Sequence, residues 1–140
     1  MARARLVSVC ALGTVIASLS VGIAWAGGPG GVVDDTDISR AVGSGVLNGT
    51  LAGFSAKGPT NDAATDAVVL ACQQAGAEDC GRDEVTNDNL CIVSVGDDTG
   101  VVSGGAGPTI EAARDDAFRH AAEAGVAFAP DARILVSVCP

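Results

Sequence analysis

The chain has 140 residues, with 8 Lys and Arg against 17 Asp and Glu, and its formal net charge is −9. An acidic balance of this size argues against functions that depend on neutralising phosphate, since nucleic-acid binding and docking on anionic lipid both need basic surface. The length allows one small domain. Outside the first 26 residues, Phe54, Phe118 and Phe128 are the only aromatic side chains, so the aromatic anchors of tight interfaces are mostly missing.

Residues 1–26 are predicted to be a secretory signal peptide. Arg3 and Arg5 give its positive start, residues 6–23 form an uncharged, largely apolar run, and residues 24–26 match the small-x-small cleavage pattern. A retained membrane anchor is less favoured, because no basic flank follows the run. We therefore expect a secreted or cell-envelope protein with no stable membrane insertion after cleavage.

Residues 27–41 are predicted to be a flexible lead-in, because glycine and proline open it and Asp34, Asp35 and Asp37 keep it solvated. A single domain is expected over residues 42–140. It consists of two halves, about 42–90 and 91–140.

The two halves are related by an internal repeat. Residues 58–76 align with residues 107–125 at an offset of 49, with eight identities and a shared Gly-Pro-Thr start. Thr60 and Thr109 are candidate N-caps, and Gly76 and Gly125 suit left-handed helix ends. The repeat therefore predicts two helices, each with a narrow stripe of small residues that can pack closely on a sheet.

Strands are predicted on both sides of each helix. The hairpin candidates centre on residues 48–49 and 97–98, with strands near 42–47, 50–56, 91–96 and 101–104, and a last strand at 133–139. The polar segment 80–86 is the weakest of the predicted strands. The fold class is α+β: two strand-strand-helix-strand units with two helices packed on an antiparallel sheet.

Four cysteines remain after cleavage, and an even number in a small exported protein is typical of disulfides. At offset 49, Cys72 and Cys80 correspond to Ala121 and Ala129, so the second half lacks both together. Of the three connectivities that four cysteines allow, the repeat favours Cys72 with Cys80 and Cys91 with Cys139.

The chain resembles domain-of-unknown-function family 4189, small exported proteins of mycobacteria and their relatives. The resemblance covers roughly residues 50–140 and rests on cysteine placement, on the strand at 91–95, on the glycine-rich 104–107 and on the terminal strand 134–139. Residues 81–84 are more acidic than the apolar strand usual there. The resemblance implies export and disulfides in an actinobacterial protein, and it supplies neither catalytic residues nor a ligand.

His120 is the one conventional acid–base group that titrates near neutrality, and Asp116 lies one helical turn before it. A hydrolytic role for this pair would need a nucleophile, for which Ser94, Ser103 and Ser137 are available. None of them lies in a G-x-S-x-G motif, and a single Asp–His pair on a helix is more often a solvated face. We therefore predict no catalytic residues and keep Asp116 and His120 as functional candidates.

Other site chemistries find weaker support. Residues 34–37 and 97–100 are acidic but lack the alternating ligands of a calcium loop, so a solvated tail and a turn are expected. Residues 104–107 precede a helix without a phosphate-binding signature and are interpreted as a flexible glycine connection. The cysteine spacings do not suit zinc. We expect no cofactor and no metal.

The preferred hypothesis is a secreted, disulfide-stabilised, non-catalytic module that binds an unknown protein or envelope component. The chain's negative charge favours a partner with a basic surface. Two alternatives are kept: a secreted enzyme that uses His120 as its acid–base group, and an envelope structural protein with weak calcium binding.

Overall fold

The computed structural model describes residues 38–140, which form six strands and two helices. The first half comprises β1 (Ser39–Leu47), β2 (Thr50–Gly58), α1 (Asn61–Gln74) and β3 (Glu78–Thr86). The second half comprises β4 (Cys91–Gly96), β5 (Val102–Gly107), α2 (Ile110–Glu123) and β6 (Arg133–Val138). The predicted α+β class and the strand-strand-helix-strand repeat are confirmed.

The predicted signal peptide at 1–26 and most of the lead-in lie outside the described residues. β1 begins at Ser39, three residues before the strand expected from sequence, because Ser39 already pairs with Gly58 of β2. Within residues 38–140, no helix has the length and apolar character needed to cross a membrane.

Both helices begin and end as their sequences predict. The hydroxyls of Thr60 and Thr109 each accept a hydrogen bond from the backbone N–H three residues later, at 3.1 Å. Gly76 and Gly125 follow the last turns with φ of +82° and +76°, the left-handed conformation that glycine adopts without strain. The two helices therefore have the same length and the same caps.

The strands form two three-stranded antiparallel sheets, in the orders β2-β1-β3 and β5-β4-β6. α1 packs on one face of the first sheet, where Ala41 contacts Ala64 and Val68. α2 packs in the same way on the second sheet. The remaining faces of the sheets pack against each other, with β2 over β6 and β3 over β5. The layers are thus helix, sheet, sheet, helix, and both central strands are buried on two sides.

Glycines allow the closest of these contacts. A Cβ on Gly105 would lie 2.2 Å from the Ala113 carbonyl oxygen of α2, and one on Gly104 would lie 2.2 Å from the Asp83 carbonyl oxygen in the opposite sheet. The prediction that residues 104–107 form a flexible connection is therefore wrong. These residues belong to β5, where the absence of side chains lets a helix and a second sheet approach from the two sides.

Strand register refines the internal repeat. Gly58 and Gly107 occupy equivalent places against the first turns of α1 and α2, and they are 49 residues apart. Their partners on the first strands, Ser39 and Cys91, are 52 apart. The difference arises because a two-residue turn joins β1 to β2, whereas five residues join β4 to β5.

The third strands follow the same shift of 52, because Arg40 pairs with Thr86 as Ile92 pairs with Val138. Cys80 therefore corresponds to Ala132 and not to Ala129. The paired absence of cysteines in the second half remains.

Both predicted disulfides are present. Cys72 of α1 bonds Cys80 of β3, with 5.8 Å between the Cα atoms. Cys91, at the start of β4, bonds Cys139 after β6, with 4.1 Å between the Cα atoms. The first bond ties a helix to its own sheet, and the second ties the C-terminal end of the chain to a central strand.

Phe54 and Phe118 pack against the cores of the first and second halves, as expected for residues that fill a small domain. Phe118 also stacks on Phe128 with ring centroids 4.7 Å apart, and the Arg114 guanidinium lies 4.6 Å from the Phe118 ring centroid.

Candidate functional site

The predicted pair Asp116 and His120 lies on α2 beside the outer edge of β5. His120 Nδ1 donates to the Gly104 carbonyl at 2.9 Å, and its Nε2 lies 3.6 Å from Asp116 Oδ2. Asp116 accepts a hydrogen bond from the Ala106 backbone N–H at 3.0 Å and contacts Arg119. Burial disfavours the charge on Asp116, but the bonds from Ala106 and Arg119 outweigh it and hold its pKa below the usual value.

The candidate nucleophiles do not join this pair. Ser94 is fully buried and donates its hydroxyl to Asp83. Ser103 shares the Gly104 carbonyl with His120, at 3.5 Å. Ser137 lies on β6, which is separated from β5 by β4. No hydrogen bond within residues 38–140 therefore links His120 to a serine.

What the pair does structurally is satisfy backbone groups. β5 is an edge strand, and an edge presents N–H and C=O groups that would otherwise pair with another chain. Asp116 takes the Ala106 N–H and His120 takes the Gly104 C=O. The two side chains thus cap the β5 edge.

A second feature is a cleft of about 800 Å³ between the two sheets, at the end where both hairpins turn. The β1–β2 hairpin, the start of β3 and the β4–β5 loop line it. Four aspartates contribute to its wall: Asp79, Asp83, Asp97 and Asp98. None of the described residues that line the cleft is basic, so its interior favours positively charged groups.

Asp97 organises the longer hairpin loop. Its Oδ1 accepts hydrogen bonds from the Thr99 hydroxyl at 2.6 Å, the Thr99 N–H at 2.9 Å and the Val101 N–H at 3.0 Å. Its Oδ2 accepts from the Ala129 N–H at 2.7 Å. The Thr99 hydroxyl, followed by the Ala129 N–H, lowers the pKa of Asp97 to about 2. Asp97 is therefore ionised and structural.

Asp83 lies on the floor of the cleft, between the sheets. Its carboxylate accepts the Ser94 hydroxyl at 2.6 Å, and the Ser44 hydroxyl is a second donor to it. Burial raises the pKa of Asp83 above the usual value, and these two hydrogen bonds offset only part of that effect. Among the cleft aspartates, Asp83 has the environment that most resists a negative charge.

The rim of the cleft carries the other two carboxylates. Asp98 is exposed and pairs with Arg133 at 2.8 Å, which lowers its pKa. Asp79 is exposed and has φ of +52°, where β3 bulges against β1. Asp79 is the rim aspartate for which the described residues provide no salt bridge, so its charge is available to a ligand.

Metal binding has little to work with in this arrangement. Among residues 38–140, no three His, Cys, Asp or Glu side chains are grouped so as to hold a metal ion. Asp97, from the acidic segment tested for calcium, has four hydrogen bonds on its carboxylate. The other acidic segment, 34–37, lies outside the described residues.

Sequence reasoning missed Asp79 and Asp83 as parts of a site. The available signal was the polar character of 78–86, which is unusual for a strand in contact with a second sheet. A polar strand beside two hairpin turns is typical of the wall of a solvated cleft. The register that brings Asp83 opposite Ser94 could not be read from the sequence, because it depends on a bulge.

A family model described as "Domain of unknown function (DUF4189)" matches residues 40–139. No curated protein matches the chain. No solved structure matches it either.

Proposed function

The chain belongs to the DUF4189 family, and because that description names no activity, we propose from the geometry that it is a non-catalytic binding module. It acts outside the cytosol, and its inter-sheet cleft binds a basic segment of a partner protein or envelope component.

The observation that carries this proposal is the cleft itself. It is concave, lies between two rigid sheets and contains four carboxylates without a basic residue on its wall. Concave sites with a few convergent polar groups and a perturbed pKa are where ligands bind most often. Asp83 supplies the perturbed pKa at the floor, and Asp79 supplies an unpaired charge at the rim.

The two disulfides indicate an oxidising compartment rather than the cytosol. The predicted signal peptide extends this to secretion or a place in the cell envelope. Each half of the small domain is tied by one covalent bond, which keeps the cleft walls in place. Such stapling is common in exported binding domains that cannot build a large core.

The charge of the chain supports a basic partner. At −9 overall, the protein attracts cationic surfaces over long range. Within the cleft, a Lys or Arg side chain would meet carboxylates from both sheets, while an acidic ligand would be repelled.

Isothermal titration calorimetry with a blocked Gly-Arg-Gly-Arg-Gly peptide tests the proposal. We expect saturable binding that weakens as salt is added, because the contact is electrostatic. The double variant Asp79→Asn with Asp83→Asn should weaken binding roughly tenfold, since it removes two charges near the peptide. Asparagine keeps the left-handed backbone at position 79, so this variant should fold normally.

The matched control is Asp66→Asn, which removes one exposed charge on α1, away from the cleft. It should bind the peptide like the unmodified protein. Equal weakening in the control, or equal binding of the charge-reversed Gly-Asp-Gly-Asp-Gly peptide, would contradict a site in the cleft.

A further inference from the structure

The four edge strands of the two sheets differ in how they are protected. β3 is bulged against its neighbour at two places and β6 at one, and bulges disrupt the regular ladder that an added strand needs. β5 pairs regularly with β4, but Asp116 and His120 cap its outer edge. β2 pairs with β1 over nine residues without a register shift.

The outward groups of β2 follow from its turn. Asn48 and Gly49 have φ of +53° and +80°, as in a two-residue type I′ turn, so Leu47 and Thr50 form the closing hydrogen-bonded pair. Hydrogen-bonded pairs alternate in an antiparallel ladder. The residues whose N–H and C=O groups point outward are therefore Leu51, Gly53, Ser55 and Lys57.

The internal repeat shows what is different about this edge. Ser55 and Lys57 correspond, at the helix offset of 49, to Gly104 and Ala106 of β5. The capping residues Asp116 and His120 correspond to Ala67 and Ala71 of α1. Alanine has no group that can take a backbone N–H or C=O. Within residues 38–140, no side chain hydrogen-bonds the outward groups of β2.

Charge defines what could lie along this edge. At one end, Thr50 and Leu51 line the acidic cleft. At the other end stands Lys57, an exposed residue and the single lysine of the sequence. Leu51 and Lys57 are six residues apart, or about 20 Å along a strand. An added strand thus meets negative charge at one end and positive charge at the other.

We propose that the β2 edge binds an extended segment of the partner protein as a fourth strand of the first sheet. The segment carries a basic residue at the cleft end and an acidic residue about six positions away, opposite Lys57. Main-chain hydrogen bonds supply the affinity and the two charged ends fix its direction. This inference rests on the proposed function, since the basic residue is the group that enters the cleft.

Two blocked peptides test the proposal, Arg-Thr-Val-Thr-Val-Thr-Asp and the same residues in reverse order. Amide hydrogen exchange of the protein is measured by NMR with and without each peptide. We expect one of the two to slow exchange of the Gly53, Ser55 and Lys57 amides at least tenfold. A peptide N-methylated at alternate positions on its pairing side should give no protection, because it lacks the donors of the ladder.

A transplanted cap gives the decisive variant. Ala67→Asp with Ala71→His places the β5 cap on the equivalent positions of α1 and should abolish protection of the β2 amides. The control is Leu70→His, which puts an imidazole one helical turn after Asp66 on the exposed side of α1, since both positions face solvent. It should behave like the unmodified protein.

The outcomes separate the two proposals. Binding that perturbs the cleft amides of Thr99 and Gly100 without protecting β2 overturns the edge proposal and leaves cleft binding intact. Protection of β2 in a protein that does not bind the Gly-Arg-Gly-Arg-Gly peptide overturns cleft binding alone. Concentration-dependent dimerisation that protects the β2 amides without peptide would show that a second copy occupies the edge, and would also overturn the proposal.

Discussion

Ser94 donates its hydroxyl proton to the Asp83 carboxylate at 2.6 Å, and this bond joins β4 of the second sheet to β3 of the first. Asp83 is the bulged residue of β3, between the partners of Val42 and Gly43. The equivalent bulged residue of β6 is Leu135, which covers Gly96. One half thus places a carboxyl group between the sheets where the other half places an apolar side chain.

The carboxyl group makes stability depend on pH. Because the folded protein raises the pKa of Asp83, the native state binds this proton more tightly than the unfolded chain does. Its contribution to the free energy of unfolding is complete below the ordinary pKa near 4 and is lost as pH rises through the raised pKa. We therefore expect Asp83→Asn to stabilise the protein at neutral pH by roughly 1 kcal/mol, since no charge is buried.

Urea unfolding between pH 4 and pH 8 measures this effect. The advantage of the Asp83→Asn variant should shrink toward pH 4, where Asp83 in the unmodified protein is also neutral. Asp66→Asn, which changes an exposed carboxylate, should leave the pH profile unchanged. A variant that is less stable than the unmodified protein at pH 7 would contradict the effect of burial on Asp83.

The two disulfides should contribute unequally. The Cys72–Cys80 bond closes a loop of 8 residues and the Cys91–Cys139 bond one of 48. By the loop-entropy relation, they stabilise the fold by about 2.5 and about 4 kcal/mol. We expect Cys91→Ser with Cys139→Ser to lower the midpoint of urea unfolding more than Cys72→Ser with Cys80→Ser. The reverse order would mean that packing around Cys72, and not chain entropy, dominates.

A glycine pair tests the close packing of α2 on β5. A Cβ at position 105 would overlap the backbone of Ala113 and Ala117, at 2.2 and 2.3 Å. Gly105→Ala should therefore cost about 3 kcal/mol, as expected for an overpacked core. Gly81→Ala adds the same methyl group to β3, where nothing lies within 4 Å, and should be nearly neutral in thermal unfolding. Equal losses of stability would show that the helix can move away without cost.

The cap on β5 can be removed. Asp116→Ala with His120→Ala leaves the Ala106 N–H and the Gly104 C=O without their side-chain partners. A regular, uncapped edge pairs with other chains, so we expect concentration-dependent self-association by analytical ultracentrifugation. Asp115→Ala, an exposed change on the same helix, should leave the protein as it was. A hydrolytic activity lost in His120→Ala, with folding intact, would instead support the enzymatic alternative.

Local signals were enough to predict the helices and the cysteine pairing. Thr60, Thr109, Gly76 and Gly125 act through bonds within a few residues, so their roles are visible in the sequence. The pairing of Cys72 with Cys80 followed from their joint absence in the second half.

Features that depend on distant pairing were not predictable in the same way. Strand β3 is polar, and it forms because its backbone pairs with β1 rather than because its side chains favour a strand. The offset of 52 and the position of Asp83 depend on loop lengths and bulges that leave no periodic signal. The cleft exists only where the two hairpin ends meet, so its four aspartates look unrelated along the chain.

Chemical-shift mapping of the ¹⁵N-labelled protein with the blocked Gly-Arg-Gly-Arg-Gly peptide is the most direct test of cleft binding. We expect the largest amide shifts at Gly49, Thr50, Asp79 and Gly100, which come from three separate segments and meet at the cleft. Shifts scattered over the acidic outer faces of α1 and α2, or no shifts at millimolar peptide, would contradict a binding site between the sheets.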